Sequence, residues 1–162
     1  MTKHSEIAKG LFLEGYNCAQ SVFAAFADEY GMERTQALRI ASSFGGGMGG
    51  MREVCGAVSG MLMAAGLLFG YDSADDPAAK KAHYALVRRL ADAFSAQTGS
   101  IVCRELLTGA GLRVQTEPSA RTEAYYKKRP CPELVELAAR ILDDHLQDPQ
   151  REDTPCRHGM HP

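Results

Sequence analysis

Apolar residues along this chain recur every three or four positions and never alternate singly with polar ones, so the spacing predicts helices and no strands. Over residues 5–15, Ile7, Leu11 and Phe12 form a strip behind Ser5, a capping residue. Asn17 is a good N-cap for a second helix, which the stripe Ala19, Val22, Phe23, Phe26 and Tyr30 carries to about Tyr30. A third helix over 33–43 sets Ala37, Ile40, Ala41 and Phe44 on one side. Residues 54–71 carry no charge, and Gly56 and Gly60, four apart, predict a buried helix whose backbone neighbours approach closely. Its glycines, alanines and serine make it too weakly hydrophobic for a membrane span. Asp75, Asp76 and Pro77 open the next helix, with Leu86, Val87, Leu90, Ala91 and Phe94 inward, and Gly99 stops it. Ser100 caps a short helix over 101–107, and 108–129 reads as a long connection. Leu134, Leu137, Ala138, Ile141 and Leu142 mark a last helix. These elements add up to an all-α, single-domain bundle of five or six helices around a glycine-rich, uncharged central helix. The helical domain spans 1–147, and 148–162 forms a flexible polar tail.

Composition narrows the setting. At 162 residues the chain can bury a core without disulfide staples. A net charge of −2 gives no pull toward nucleic acid or an acidic membrane. The first residues show no signal-peptide pattern, so a cytoplasmic setting with reduced thiols is the expectation. Cysteines stand at 18, 55, 103, 131 and 156. That odd number argues for metal binding or thiol chemistry and against a disulfide scaffold. No Cys-x-x-Cys pair occurs, so any shared site is assembled from distant segments.

The glycine run is the chemical landmark. Gly45, Gly46, Gly47, Gly49 and Gly50, broken only by Met48, lead through Arg52 and Glu53 to Cys55. Such a run allows positive φ and close approach, and Gly45, Gly46, Gly47, Gly49 and Gly56 are candidate cofactor- or anion-cradling positions. Cys18, Cys55, Cys103 and Cys131 each fall at or beside a helix start, where free N–H groups and the helix dipole favour anionic sulfur. Two chemistries stay open. In one, Cys55 is the nucleophile and Cys18 its resolving partner in thiol–disulfide exchange. In the other, Cys18, Cys55, Cys103 and Cys131 are ligands to an iron–sulfur cluster or zinc. Arg52 is placed to lower the Cys55 pKa, with Glu53 holding the arginine.

Asn17-Cys18-Ala19-Gln20-Ser21-Val22, the run Phe44-Gly45-Gly46-Gly47-Met48-Gly49, the box Cys55-Gly56-Ala57-Val58-Ser59-Gly60, and Cys103 and Cys131 follow in order. Together they resemble the redox-active family named for the pattern C-GCAxxG-C-C, over about residues 5–146. The resemblance implies a small, mostly helical, cytosolic protein doing redox work through four cysteines with an unidentified redox partner. Haem is not expected, since the chain has no Cys-x-x-Cys-His. A non-catalytic metal-binding protein and a helical interaction module that forms homo-oligomers are the alternatives.

Other features read more plainly. Gly45-x-Gly47-x-x-Gly50 lacks the preceding strand that a dinucleotide fingerprint requires. Tyr125-Tyr126-Lys127-Lys128-Arg129 reads as a surface loop, and His83 and His145 as packing residues. Cys156, His158 and His161 in the tail form a candidate soft-metal or resolving-thiol segment.

Overall fold

Eight right-handed α-helices run through residues 1–151, the part of the chain that this computed structural model describes. They are α1 (Lys3–Leu13), α2 (Cys18–Ala25), α3 (Arg34–Ala41), α4 (Gly56–Phe69), α5 (Pro77–Thr98), α6 (Cys103–Gly109), α7 (Glu123–Lys128) and α8 (Cys131–Gln147). No strand occurs among the described residues, only an isolated antiparallel bridge between Val54 and Val102. The fold is all-α, with α7 added inside the expected long connection. Among the described residues, no helix is long and apolar enough to cross a membrane. The Cys156 to His161 segment lies outside them.

Local signals set most of the boundaries. Asn17 and Gln20 form a reciprocal cap on α2: the Gln20 N–H donates to Asn17 Oδ1 (2.9 Å) and the Asn17 N–H to Gln20 Oε1 (3.1 Å). Asp76 Oδ1 accepts from the Ala79 N–H at 2.8 Å, Pro77 takes the first position of α5, and Gly99 ends it at φ 87°. Two expectations shift. The first helix begins at Lys3, with Ser5 inside it accepting from the Thr2 N–H at 2.8 Å. The second stops at Ala25, because the chain from Phe26 onward folds into turns. Phe26 is still fully buried, and Tyr30 stacks back on Phe23 with ring centroids 5.3 Å apart. The apolar stripe was therefore a burial signal carried by turns. Ile7 and Ile40, expected inward, are exposed, and Ala8, Ala37 and Ala41 take the buried positions.

Helix α2 lies at the crossing of the bundle, packed against α1, α3, α4 and α8, while α5 covers α4 and α8. The largest buried side chains are Phe12, Phe23, Phe26, Phe94 and Met61, each contributing about 1.5–3 kcal/mol by leaving water. Contact between α2 and α4 is backbone-close. A Cβ on Gly60 would stand 2.7 Å from the Ala19 carbonyl oxygen and 3.0 Å from Val22 Cβ. That approach brings the start of α2, with Cys18, beside the start of α4, with Cys55.

Candidate functional site

The glycine run is a turn of left-handed helix. Gly46, Gly47 and Gly49 hold φ of 63°, 67° and 63°, and Met48 joins them at 64°. Each L-residue with a side chain pays about 1–2 kcal/mol for this conformation, which is why four of its five residues, 46–50, are glycine. Crowding adds a second reason. A Cβ on Gly47 would come within 2.8 Å of Cys103 Cβ and 2.7 Å of the Glu53 nitrogen, and one on Gly45 within 2.3 Å of Asn17 Cγ. The run thus touches both the cap below Cys18 and the side chain of Cys103.

The Val54–Val102 bridge joins two more cysteines. The Cys55 N–H donates to the Ile101 carbonyl and the Cys103 N–H to the Glu53 carbonyl, each at 2.7 Å. Cys55 is the N-cap of α4, Cys103 the first residue of α6, and Cys131 the first residue of α8 behind Pro130. With Cys18 heading α2, four helix starts point their cysteines at one cavity of about 310 Å³. Four N-terminal dipole ends favour negative charge there. Among the described residues, the cavity wall also carries Arg52, Arg121 and Arg129 and no carboxylate.

The thiols differ in environment. Cys18 and Cys131 share a hydrogen bond. That bond, against the opposing effect of burial and helped by Arg129 and Arg121, holds Cys131 down to about 7. Cys18 moves the other way, well above the ordinary thiol range, through the same hydrogen bond and then burial. Burial pushes Cys55 up to about 12 although the Ala57 and Val58 N–H groups oppose it. The direction of the shift is thus downward at Cys131 and upward at Cys55, where the helix start alone favours a lowered thiol. Desolvation at the mouth of α4 outweighs the helix end.

Arg52 is also redirected. It is 93% buried at φ 62°, its Nε donates to the Gln115 carbonyl at 2.8 Å, and its Nη1 lies 3.9 Å from Cys103 Sγ, not beside Cys55. Burial raises the Cys103 pKa and Arg52 pulls it back. Glu53 pairs with Arg104 at 2.5 Å instead of holding Arg52.

The segment read as a surface loop supplies a wall of the site. Tyr125 is in cation–π contact with two guanidinium groups, Arg121 at 4.8 Å and Arg129 at 4.7 Å from its ring centroid. Arg121 Nη2 donates to the Tyr16 carbonyl (3.1 Å) and Arg129 Nη2 to Ser119 Oγ (3.1 Å). Thr116, Pro118 and Ser119 of the long connection complete this side. The alternation of aromatic and basic residues there was the available signal; its direction depends on tertiary packing. Of the candidate cradling glycines, Gly45, Gly46, Gly49 and Gly56 line the cavity, while Gly47 is spent on contact with Cys103. His83 and His145 sit away from it, in ring contact with Tyr71 and Phe69.

The donor set discriminates between metals. A lone tetrahedral zinc needs thiolates about 3.8 Å apart, and no three of these sulfurs lie within 4.8 Å of one another. As placed, the sulfurs are spread wider than the ligands of a single zinc ion. An iron–sulfur cluster spreads its four thiolates over two or more irons, and four cysteines around one carboxylate-free cavity suit that wider set.

A family model described as "Putative redox-active protein (C_GCAxxG_C_C)" matches residues 16–145. None of the curated proteins and none of the solved structures matches the chain.

Proposed function

The chain belongs to this C_GCAxxG_C_C redox-active family, and from that premise we propose that its redox work is thiol–disulfide exchange at the Cys18–Cys131 pair. One arrangement carries the reading: Cys18 and Cys131, 113 positions apart, head two helices on one cavity whose wall includes Arg121 and Arg129, and their contact holds the Cys131 thiol down to about 7. At neutral pH a thiol of that acidity is about half thiolate and still a good nucleophile. The Cys131 thiolate attacks one sulfur of a substrate disulfide, whose S–S bond breaks and whose other sulfur leaves as thiolate. Cys18 then gives up its proton and attacks the Cys131 sulfur, releasing the second substrate thiol. The protein ends with a Cys18–Cys131 disulfide and the substrate with two electrons more, one of its two thiols protonated by the Cys18 proton and the other, released as thiolate, taking its proton from water. Cys55 and Cys103 complete the cavity, and a reducing cytoplasmic setting suits a pair that begins as thiols.

A second reading is electron transfer, with Cys18, Cys55, Cys103 and Cys131 holding an iron–sulfur cluster. The ring of four helix starts and three arginines around one cavity favours it, since such a cluster is anionic. When bound, the cluster would supply one-electron chemistry. The chain's part is to fix the thiolates and balance their charge. Anaerobic purification with iron and labile-sulfide analysis separates the two. Metal-free protein that reduces a small disulfide, and loses this in Cys131→Ser but keeps much of it in Cys55→Ser, supports exchange. Stoichiometric iron and sulfide lost in either variant supports the cluster.

A further inference from the structure

Outside the lining of the cysteine cavity, His4 lies 96% buried beside two carboxylates and with a third behind it. Its Nδ1 faces Asp143 Oδ1 at 2.5 Å, and its backbone N–H donates to Asp143 Oδ2 at 3.1 Å. Asp143 is itself 97% buried on α8. The Phe26 ring stacks on the imidazole, centroids 4.2 Å apart, and fixes its plane. Nε2 is buried and makes no hydrogen bond, yet Asp28 Oδ1 stands 3.4 Å and Glu29 Oε1 3.5 Å from it. These three atoms lie within 4.8 Å of one another. Both carboxylates come from the turn that replaces the expected end of α2, and they are half exposed.

We propose that His4 Nε2, Asp28 and Glu29 bind a divalent transition-metal ion of the zinc class, with Asp143 as the positioning residue behind the imidazole. Zinc takes nitrogen and oxygen at about 2.0–2.2 Å, so adjacent tetrahedral ligands sit about 3.4 Å apart. The two contacts of Nε2 have that edge length. A ligating histidine hands its other ring N–H to a carboxylate, which fixes tautomer and orientation, and Asp143 does this here. Lys3 Nζ lies 2.5 Å from Asp28 Oδ2 and 3.9 Å from Glu29 Oε1, so its ammonium offsets the acidic turn and is the group an incoming ion competes with. Water takes the fourth position, on the exposed side. The ion fastens the start of α1 to the turn after α2.

Long-range proton–nitrogen NMR of the full chain during Zn²⁺ titration tests this, because it reads the His4 ring directly and is blind to metal at the thiols. The expected result is loss of the Nε2 proton with a metal-bound nitrogen shift, Nδ1 keeping its proton toward Asp143. In Asp28→Asn/Glu29→Gln, a near-isosteric change of half-exposed side chains whose fold is checked by the rest of the NMR spectrum, the zinc affinity read at His4 falls more than tenfold. An Nε2 that keeps its proton or its free-ring shift in excess Zn²⁺, or an affinity unchanged in the double variant, overturns the proposal and leaves an ion pair only.

Discussion

Arg52 Nη1 stands 3.9 Å from Cys103 Sγ, joining the glycine turn to the start of α6 across 51 positions of chain. The guanidinium is buried, and none of the ion pairs among the described residues includes it. Its charge offsets the effect of burial on Cys103. Arg52→Gln should therefore slow alkylation of Cys103 at pH 9, measured by mass spectrometry of the Cys103 peptide. An unchanged rate would mean that the arginine serves packing alone.

Cys131 should react with iodoacetamide at a rate that climbs with pH and reaches half its plateau near pH 7, where its thiol ionises. Below that, each pH unit costs about tenfold in thiolate. Cys55, pushed up to about 12, should stay slow throughout the neutral range. Cys18→Ala removes the hydrogen bond that acidifies Cys131, and Arg129→Gln removes a nearby charge. Both should move the midpoint upward, the first further than the second. Equal reactivity of Cys55 and Cys131 at pH 7 would remove the asymmetry on which the exchange mechanism is built.

Two glycines of α4 should respond to alanine with opposite signs. At Gly60 the new Cβ meets the α2 backbone at 2.7 Å, and forcing the helices apart costs about 1–3 kcal/mol. At Gly66 nothing lies within 4 Å, so alanine gains about 0.5–1 kcal/mol from helix propensity. Urea midpoints of the two variants should fall on either side of the parent.

Gly47→Ala carries a double penalty. The residue sits at φ 67°, and its Cβ would strike Cys103 Cβ and the Glu53 nitrogen. Left-handed strain and overpacking together come to about 2–5 kcal/mol. Denaturant unfolding of the purified variant measures it. A loss below 1 kcal/mol would show that the turn readjusts.

The parts that sequence reasoning reached were local. Asn17, Asp76, Pro77 and Gly99 act through hydrogen bonds or dihedrals within a few residues, so their roles could be read directly, and so could the four cysteines at helix starts. Which cysteines approach each other was not legible, because the Cys18–Cys131 contact depends on how α8 packs against α2. Arg129 looked like part of a surface loop for the same reason: only the folded path of the long connection turns it, with Arg121, toward Tyr125 and the cavity. The second helix was drawn too long since Phe26 and Tyr30 are buried at helical spacing while their backbone is in turns. The His4 cluster depends on that turn, and nothing near His4 in the chain announces it.

Mapping the disulfide formed under mild oxidation is the most direct test. Fully reduced, metal-free protein is treated with a small disulfide, quenched with acid, digested without reduction and sequenced by mass spectrometry. A cross-linked peptide joining Cys18 to Cys131, formed first and lost in either serine variant, is the predicted result. Oxidation that joins Cys55 to Cys103 first, or leaves Cys18 and Cys131 as free thiols, would contradict the account.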